Sequence, residues 1–178
     1  ESNPDGTKIF LVFNDVNDNG DGVKEYNLST PYDIATMSLV TSGGIDLASG
    51  AEGFNPDALF IGLSGKRLFV SDHAKFTITQ FTLHNPYDTS SFTKDGSVSI
   101  QDLTSDNNSQ TRALGFSKNG LKMFVSDDTG DDEIFEFSLV CPFNIIAGKC
   151  TSITENNDRI GMAVAQIEIS KRTIDHST

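Results

Sequence analysis

The chain has 178 residues, 37% of them apolar and 21% charged, and its 25 acidic and 13 basic side chains give a formal net charge of −12. That length buries a real core as one domain, and the acidic balance argues against a nucleic-acid partner, whose phosphates need clustered Lys and Arg. The longest unbroken apolar run, Ile9 to Phe13, falls far short of the roughly 20 residues of a membrane-spanning helix, so no transmembrane segment is expected.

The chain opens on Asn3-Pro4-Asp5-Gly6-Thr7-Lys8-Ile9-Phe10. The phrase returns as Ser64-Gly65-Lys66-Arg67-Leu68-Phe69-Val70-Ser71-Asp72 and as Asn119-Gly120-Leu121-Lys122-Met123-Phe124-Val125-Ser126-Asp127. With Gly6, Gly65 and Gly120 in register, Phe10, Phe69 and Phe124 align. Each Gly turn introduces a short run rich in aromatic and β-branched residues, which predicts strands over 8–13, 67–70 and 122–125.

A second block follows each run, at 23–28, 78–83 and 134–139. Its period of two puts Tyr26 and Leu28, Phe81 and Leu83, and Phe135, Phe137 and Leu139 on one strand face. Glu25 and Asn27, Gln80 and Thr82, and Glu136 and Ser138 take the other. Three residues past each Leu stands a Pro-aromatic pair, Pro31-Tyr32, Pro86-Tyr87 and Pro142-Phe143, with the prolines 55 and 56 residues apart. Residues 58–61 align with 113–116 as a strand feeding the Gly turn, and a weaker fourth strand falls at 36–40 and 97–100. Four strands in a unit of this size, repeated in tandem, predict an all-β fold of four-stranded antiparallel propeller blades. The repeats occupy 1–150, in units near 3–57, 58–112 and 113–150.

Past Cys150 the pattern changes. Residues 151–158 are polar and offer helix N-cap residues. Ile160, Val164, Ile167, Lys171 and Ile174 then recur at three- and four-residue spacing. This predicts a polar linker and a C-terminal amphipathic α-helix over 151–178, docked on the last blade or starting a coiled-coil stalk.

Asp15, Asn17, Asn19 and Asp21 alternate around Gly20, the oxygen-donor pattern of a Ca2+ loop. The closing acid is out of place, because Tyr26 holds the twelfth position and Glu25 comes one residue early. The competing reading is a solvated hairpin turn of residues that tolerate left-handed backbone. Asp72 and Asp127 recur at the end of equivalent strands, which reads as turn capping rather than an active site. His73, His84 and His176 lack metal-ligand spacing. Ser71-Asp72-His73 carries triad residue types, but neighbours in a strand point to opposite faces. No catalytic residue is therefore named, and no cofactor besides Ca2+. Cys141 and Cys150 stand in the third unit alone. As a disulfide they would close a short loop worth about 2.7 kcal/mol in the chain-entropy model and suit a secreted or periplasmic protein; two reduced thiols are the alternative.

The Asn3-x-Asp5-Gly6-x-Lys8-x-Phe10 phrase, the polar hairpin, and Val23-x-Glu25-Tyr26-x-Leu28-Ser29-Thr30-Pro31-Tyr32-Asp33-Ile34 together resemble bacterial β-propeller repeats of the YVTN/NHL-like type, as found in large surface or secreted proteins. The resemblance covers residues 3–150, though Pro142-Phe143-Asn144 departs from Pro-Tyr-Asp in the third unit. It implies a non-catalytic repeat scaffold or binding module, extracellular, at the cell surface or periplasmic, whose loops would contact a protein or carbohydrate ligand. The alternative that it leaves open is a lactonase-like or other hydrolytic propeller. Propellers close with roughly four to eight blades. The chain therefore reads as a fragment, with further blades expected from the same chain or from other chains.

Overall fold

Strand pairing follows the alternation of the sequence. The computed structural model describes residues 1–14, 22–47, 54–104, 110–127, 133–147 and 168–173. In the first sheet β1 (Lys8–Phe13) pairs antiparallel with β2 (Gly22–Leu28), and β2 pairs in turn with β3 (Met37–Leu39) and β4 (Ile45–Asp46). The second sheet is a meander of β5 (Pro56–Gly62), β6 (Arg67–Asp72), β7 (Thr77–Asn85) and β8 (Asp88–Ser99), followed by the short α1 (Ile100–Thr104). The third orders β9 (Thr111–Phe116), β10 (Lys122–Asp127), β11 (Glu133–Ser138) and β12 (Glu168–Thr173) in the same way.

Register agrees wherever the sequence aligns. Phe10 lies opposite Glu25, Phe69 opposite Gln80 and Phe124 opposite Glu136. Ahead of the glycines, Ile61 pairs with Leu68 and Phe116 with Met123. In the first sheet that place is held by an isolated bridge between Ser2 and Ile9.

The C-terminal helix is corrected over its described part. Residues 168–173 form a strand, with Lys171 opposite Phe135 on β11. Ile160, Val164, Ile167 and Ile174 lie outside the described residues. Short apolar stretches satisfy helical and alternating spacing at once. Here the unpaired main-chain edge of β11 supplies a ladder that a helix would leave unused, and it decides the outcome.

Each sheet lays one face on the next. Phe10, Val23 and Ile45 of the first sheet pack with Ile61, Leu68, Val70, Phe81 and Leu83 of the second. The opposite face of the second sheet, with Phe69 and Ile78, packs on Met123, Val125, Phe135 and Phe137 of the third. Burying such a side chain contributes about 1.5–3 kcal/mol, so these two interfaces are the core.

The recurring Gly and Pro-aromatic residues meet in space. Gly6, Gly65 and Gly120 have φ of 71°, 88° and 69°, and Tyr32, Tyr87 and Phe143 have φ of 60°, 55° and 50°. The aromatic N–H donates to the glycine carbonyl at 2.9 Å from Tyr32, 2.9 Å from Tyr87 and 2.8 Å from Phe143. Each ring covers its glycine so closely that a Cβ on Gly120 would lie 2.2 Å from the Phe143 ring. Left-handed φ and contact at that range both require glycine.

Candidate functional site

Two of the three polar side chains set opposite the recurring phenylalanines, Glu25 and Gln80, are buried. They close two clasps between sheets. Glu25, on β2 and buried, accepts from Lys8 Nζ of β1 at 2.5 Å through Oε1. Its Oε2 accepts from the N–H and the hydroxyl of Thr89 in the second sheet, both at 2.8 Å. Lys8 Nζ also donates to the Tyr87 carbonyl at 2.9 Å, and Gly44 N–H donates to Thr89 Oγ1 at 2.7 Å.

The second clasp is built at the same strand positions with different groups. Gln80, fully buried on β7, donates from Nε2 to Asp95 Oδ2 at 2.8 Å and to Asn144 Oδ1 at 3.1 Å. Its Oε1 accepts from Ile145 N–H at 2.9 Å. Asp95 Oδ2 accepts further from Arg67 Nη1 at 2.5 Å and from Thr82 Oγ1 at 2.7 Å. Thr89 and Ile145 each stand two residues past the aromatic of a Pro-aromatic pair. Both clasps therefore use one rule: a buried Glu or Gln accepts a main-chain N–H from the next sheet. Donors fixed on two sheets meet the carboxylate of Glu25, which locks sheet to sheet rather than presenting a base to a substrate.

At the third such position Glu136 pairs with Lys122 within its own sheet, and both side chains are substantially exposed. Around this pair Ile134 and Leu121 also lie open.

Asp72 caps the turn after its strand, and Asp127 makes the equivalent bond to the start of the neighbouring strand. Asp72 Oδ1 accepts from the N–H groups of Asn55 at 3.2 Å, Ala74 at 2.9 Å and Lys75 at 3.2 Å. Asp127 Oδ1 accepts from Gln110 N–H at 2.8 Å, and Gln110 aligns with Asn55. Ser71, Asp72 and His73 have separate engagements: Ser71 Oγ accepts from Ala58 N–H at 3.0 Å, and His73 Nδ1 lies 3.0 Å from Asp57. His84 sits between Ser91 at 2.7 Å and Thr93 at 3.0 Å.

Beside the first clasp, burial and then the Glu1 carboxylate push the Tyr87 phenol above its ordinary value. The Ser90 hydroxyl and then its N–H hold the Asp88 carboxyl below the usual carboxylate range.

Asp15, Asn17, Asn19 and Asp21 lie outside the described residues, in the connection between the hairpin strands β1 and β2. Among the described residues no group of three or more His, Cys, Asp or Glu stands where it could hold a metal ion. Cys141 is disulfide-bonded, and Cys150 lies outside the described residues. No helix among the described residues is long and apolar enough to cross a membrane.

Sequence reasoning did not find the roles of Thr89, Asp95 or Asn144: Asp95 lies in a stretch with no repeated signal, and Thr89 and Asn144 sit at the Pro-aromatic motif without a residue type that repeats there. The one available clue was Glu or Gln recurring at 25, 80 and 136, between residues expected in a core. No protein-family model matches the chain, and no curated protein is similar to it at a significant level.

Proposed function

We propose that the three sheets are successive blades of a β-propeller, and that the chain is a non-catalytic scaffold or binding module of a larger bacterial surface or secreted protein. The observation that carries this reading is the use made of the buried polar side chains. Glu25 with Thr89, and Gln80 with Asn144, spend hydrogen bonds holding one sheet to the next, while Arg67 and Asp95 brace Gln80 from within the second sheet. The sheets also approach each other through their first strands, β5 beside β9, as blades set around an axis would.

A rigid stack of this kind leaves recognition to the connections between strands, where sequence is free to vary. The ligand class is a protein or a carbohydrate. The disulfide at Cys141 supports a periplasmic or extracellular setting, since such bonds persist in oxidising compartments. The test is hydrolysis of a panel of lactones and aryl esters by the purified chain. The scaffold reading expects no turnover above the uncatalysed rate. Turnover that follows the folded protein through purification and disappears on melting would replace it with the hydrolytic one.

A further inference from the structure

The two ends of the stack are unequal to its middle. On the outward face of the third sheet, Ile134 is 38% exposed, whereas Ile78 at the same position of the second sheet is 0% exposed. Phe124 is half-buried there, while Phe10 and Phe69 are buried. Glu136 is likewise accessible where Glu25 and Gln80 are covered.

The outward face of the first sheet shows the complementary deficit. Ile34 is 72% exposed, whereas Ile145, at the same distance past its Pro-aromatic pair, is 2% exposed. Leu11 is exposed where Val70 and Val125 are buried, and Tyr32, Met37 and Leu39 lie open beside it. Most of the large exposed apolar side chains of the described residues therefore sit on these two faces.

We propose that these faces dock on each other between copies of this chain, the first sheet of one copy covering the third sheet of the next. The occupant is argued from the two internal interfaces, which join the same two kinds of face. In each, a Glu or Gln opposite a core Phe receives a main-chain N–H from two residues past the next aromatic. Glu136, opposite Phe124, is the receiving group on the open third sheet. Ile34 holds the donating position on the open first sheet. The apolar partners are matched as well, because Ile134 stands where Val23 and Ile78 stand and Leu11 where Val70 and Val125 stand. The contact joins unlike faces, so it propagates head to tail and closes as a ring or continues as a filament. It does not depend on whether the protein is a catalyst.

The test uses two single variants of the whole chain, Ile134→Asp on the third sheet and Leu39→Asp on the first, both at exposed positions. Circular dichroism confirms that each retains its sheet content. In sedimentation velocity the unmodified chain should gain mass as its concentration rises through the micromolar range. Each variant alone should remain monomeric. Mixed in equal amounts, they should form a one-to-one dimer and go no further, since one has an intact first sheet and the other an intact third. A chain that stays monomeric up to millimolar concentration would overturn the proposal, leaving the faces to a different partner. So would association that survives in either variant alone.

Discussion

Gly120→Ala tests the reasoning about the Gly and Pro-aromatic contact. The substitution meets two obstacles. Gly120 has a φ of 69°, where an L side chain costs about 1–2 kcal/mol. The new Cβ would also lie 2.2, 2.4 and 2.7 Å from three atoms of the Phe143 ring, against an ordinary carbon contact of about 3.5–4.0 Å. The ring must move by more than an ångström. It then leaves its stacked contact with Phe60, centroids 6.2 Å apart, and its contact with Phe116 at 5.7 Å. Aromatic pairs of this kind contribute about 0.5–1.5 kcal/mol each, so the total loss is about 3 kcal/mol. Equilibrium unfolding in urea, with a slope of about 2 kcal/mol per molar, should show the midpoint fall by about 1.5 M. Gly115→Ala is the control. Its Cβ would meet nothing within 4 Å and its φ is not positive, so stability should stay level or rise by about 0.5 kcal/mol. In a Phe143→Ala background the cost of Gly120→Ala should shrink to the backbone part, about 1–2 kcal/mol. A loss below about 1 kcal/mol in the unmodified background, or one unchanged by removing the ring, would refute the account.

Glu25 and Glu136 hold the same place in their strands but opposite surroundings. Glu25→Ala should cost about 2–4 kcal/mol, because it removes the acceptor of the Thr89 N–H and leaves Lys8 with the Tyr87 carbonyl alone, whereas Glu136→Ala should cost under about 1 kcal/mol in the unassociated chain. Equal losses in thermal or urea unfolding would contradict the clasp. The lowered Asp88 carboxyl contributes stability above the ordinary carboxylate range and loses it as pH falls through its folded-state value. Ser90→Ala should raise the Asp88 titration midpoint toward ordinary, followed by carbon-13 NMR; an unmoved midpoint refutes the Ser90 hydroxyl as its leading cause. Reduction of the Cys141 disulfide should lower stability by about 2–3 kcal/mol, with alkylation mass spectrometry reporting the oxidised form beforehand; unchanged unfolding after full reduction would remove it from the stability of the third sheet.

The strands were legible because their period is two and their turns carry glycine. The expected 8–13 is the observed Lys8–Phe13, and 67–70 and 122–125 extend only to Asp72 and Asp127. The weak fourth strands were also there, Met37–Leu39 within 36–40 and residues 97–99 at the end of the long β8. Which face was wet was not legible. Alternation marks a polar face, and a polar face normally meets water, yet Glu25 and Gln80 are buried because a second sheet packs against them. Single-strand periodicity carries no information about what lies across that face. Lys171 illustrates the other gap: its helical spacing was genuine, but the open edge of β11 is visible only once three strands are assembled. The partners Thr89, Asp95 and Asn144 were out of reach for the same reason, since a clasp is a relation between sheets.

Tandem near-copies of one unit face a hazard while they fold, because any sheet can try any neighbour. The difference between the two clasps bears on this. If the third sheet docked on the first, Ile145 would stand opposite Glu25 in place of Thr89, and the hydroxyl that supplies one of its bonds would be missing. One unmade hydrogen bond to a buried charged group costs about 1.5–3 kcal/mol, enough to favour the native neighbour within the chain without barring the Glu136–Ile34 contact between copies. The chain thus carries, in a Glu at 25 and a Gln at 80, a proofreading mark for the order of its own parts.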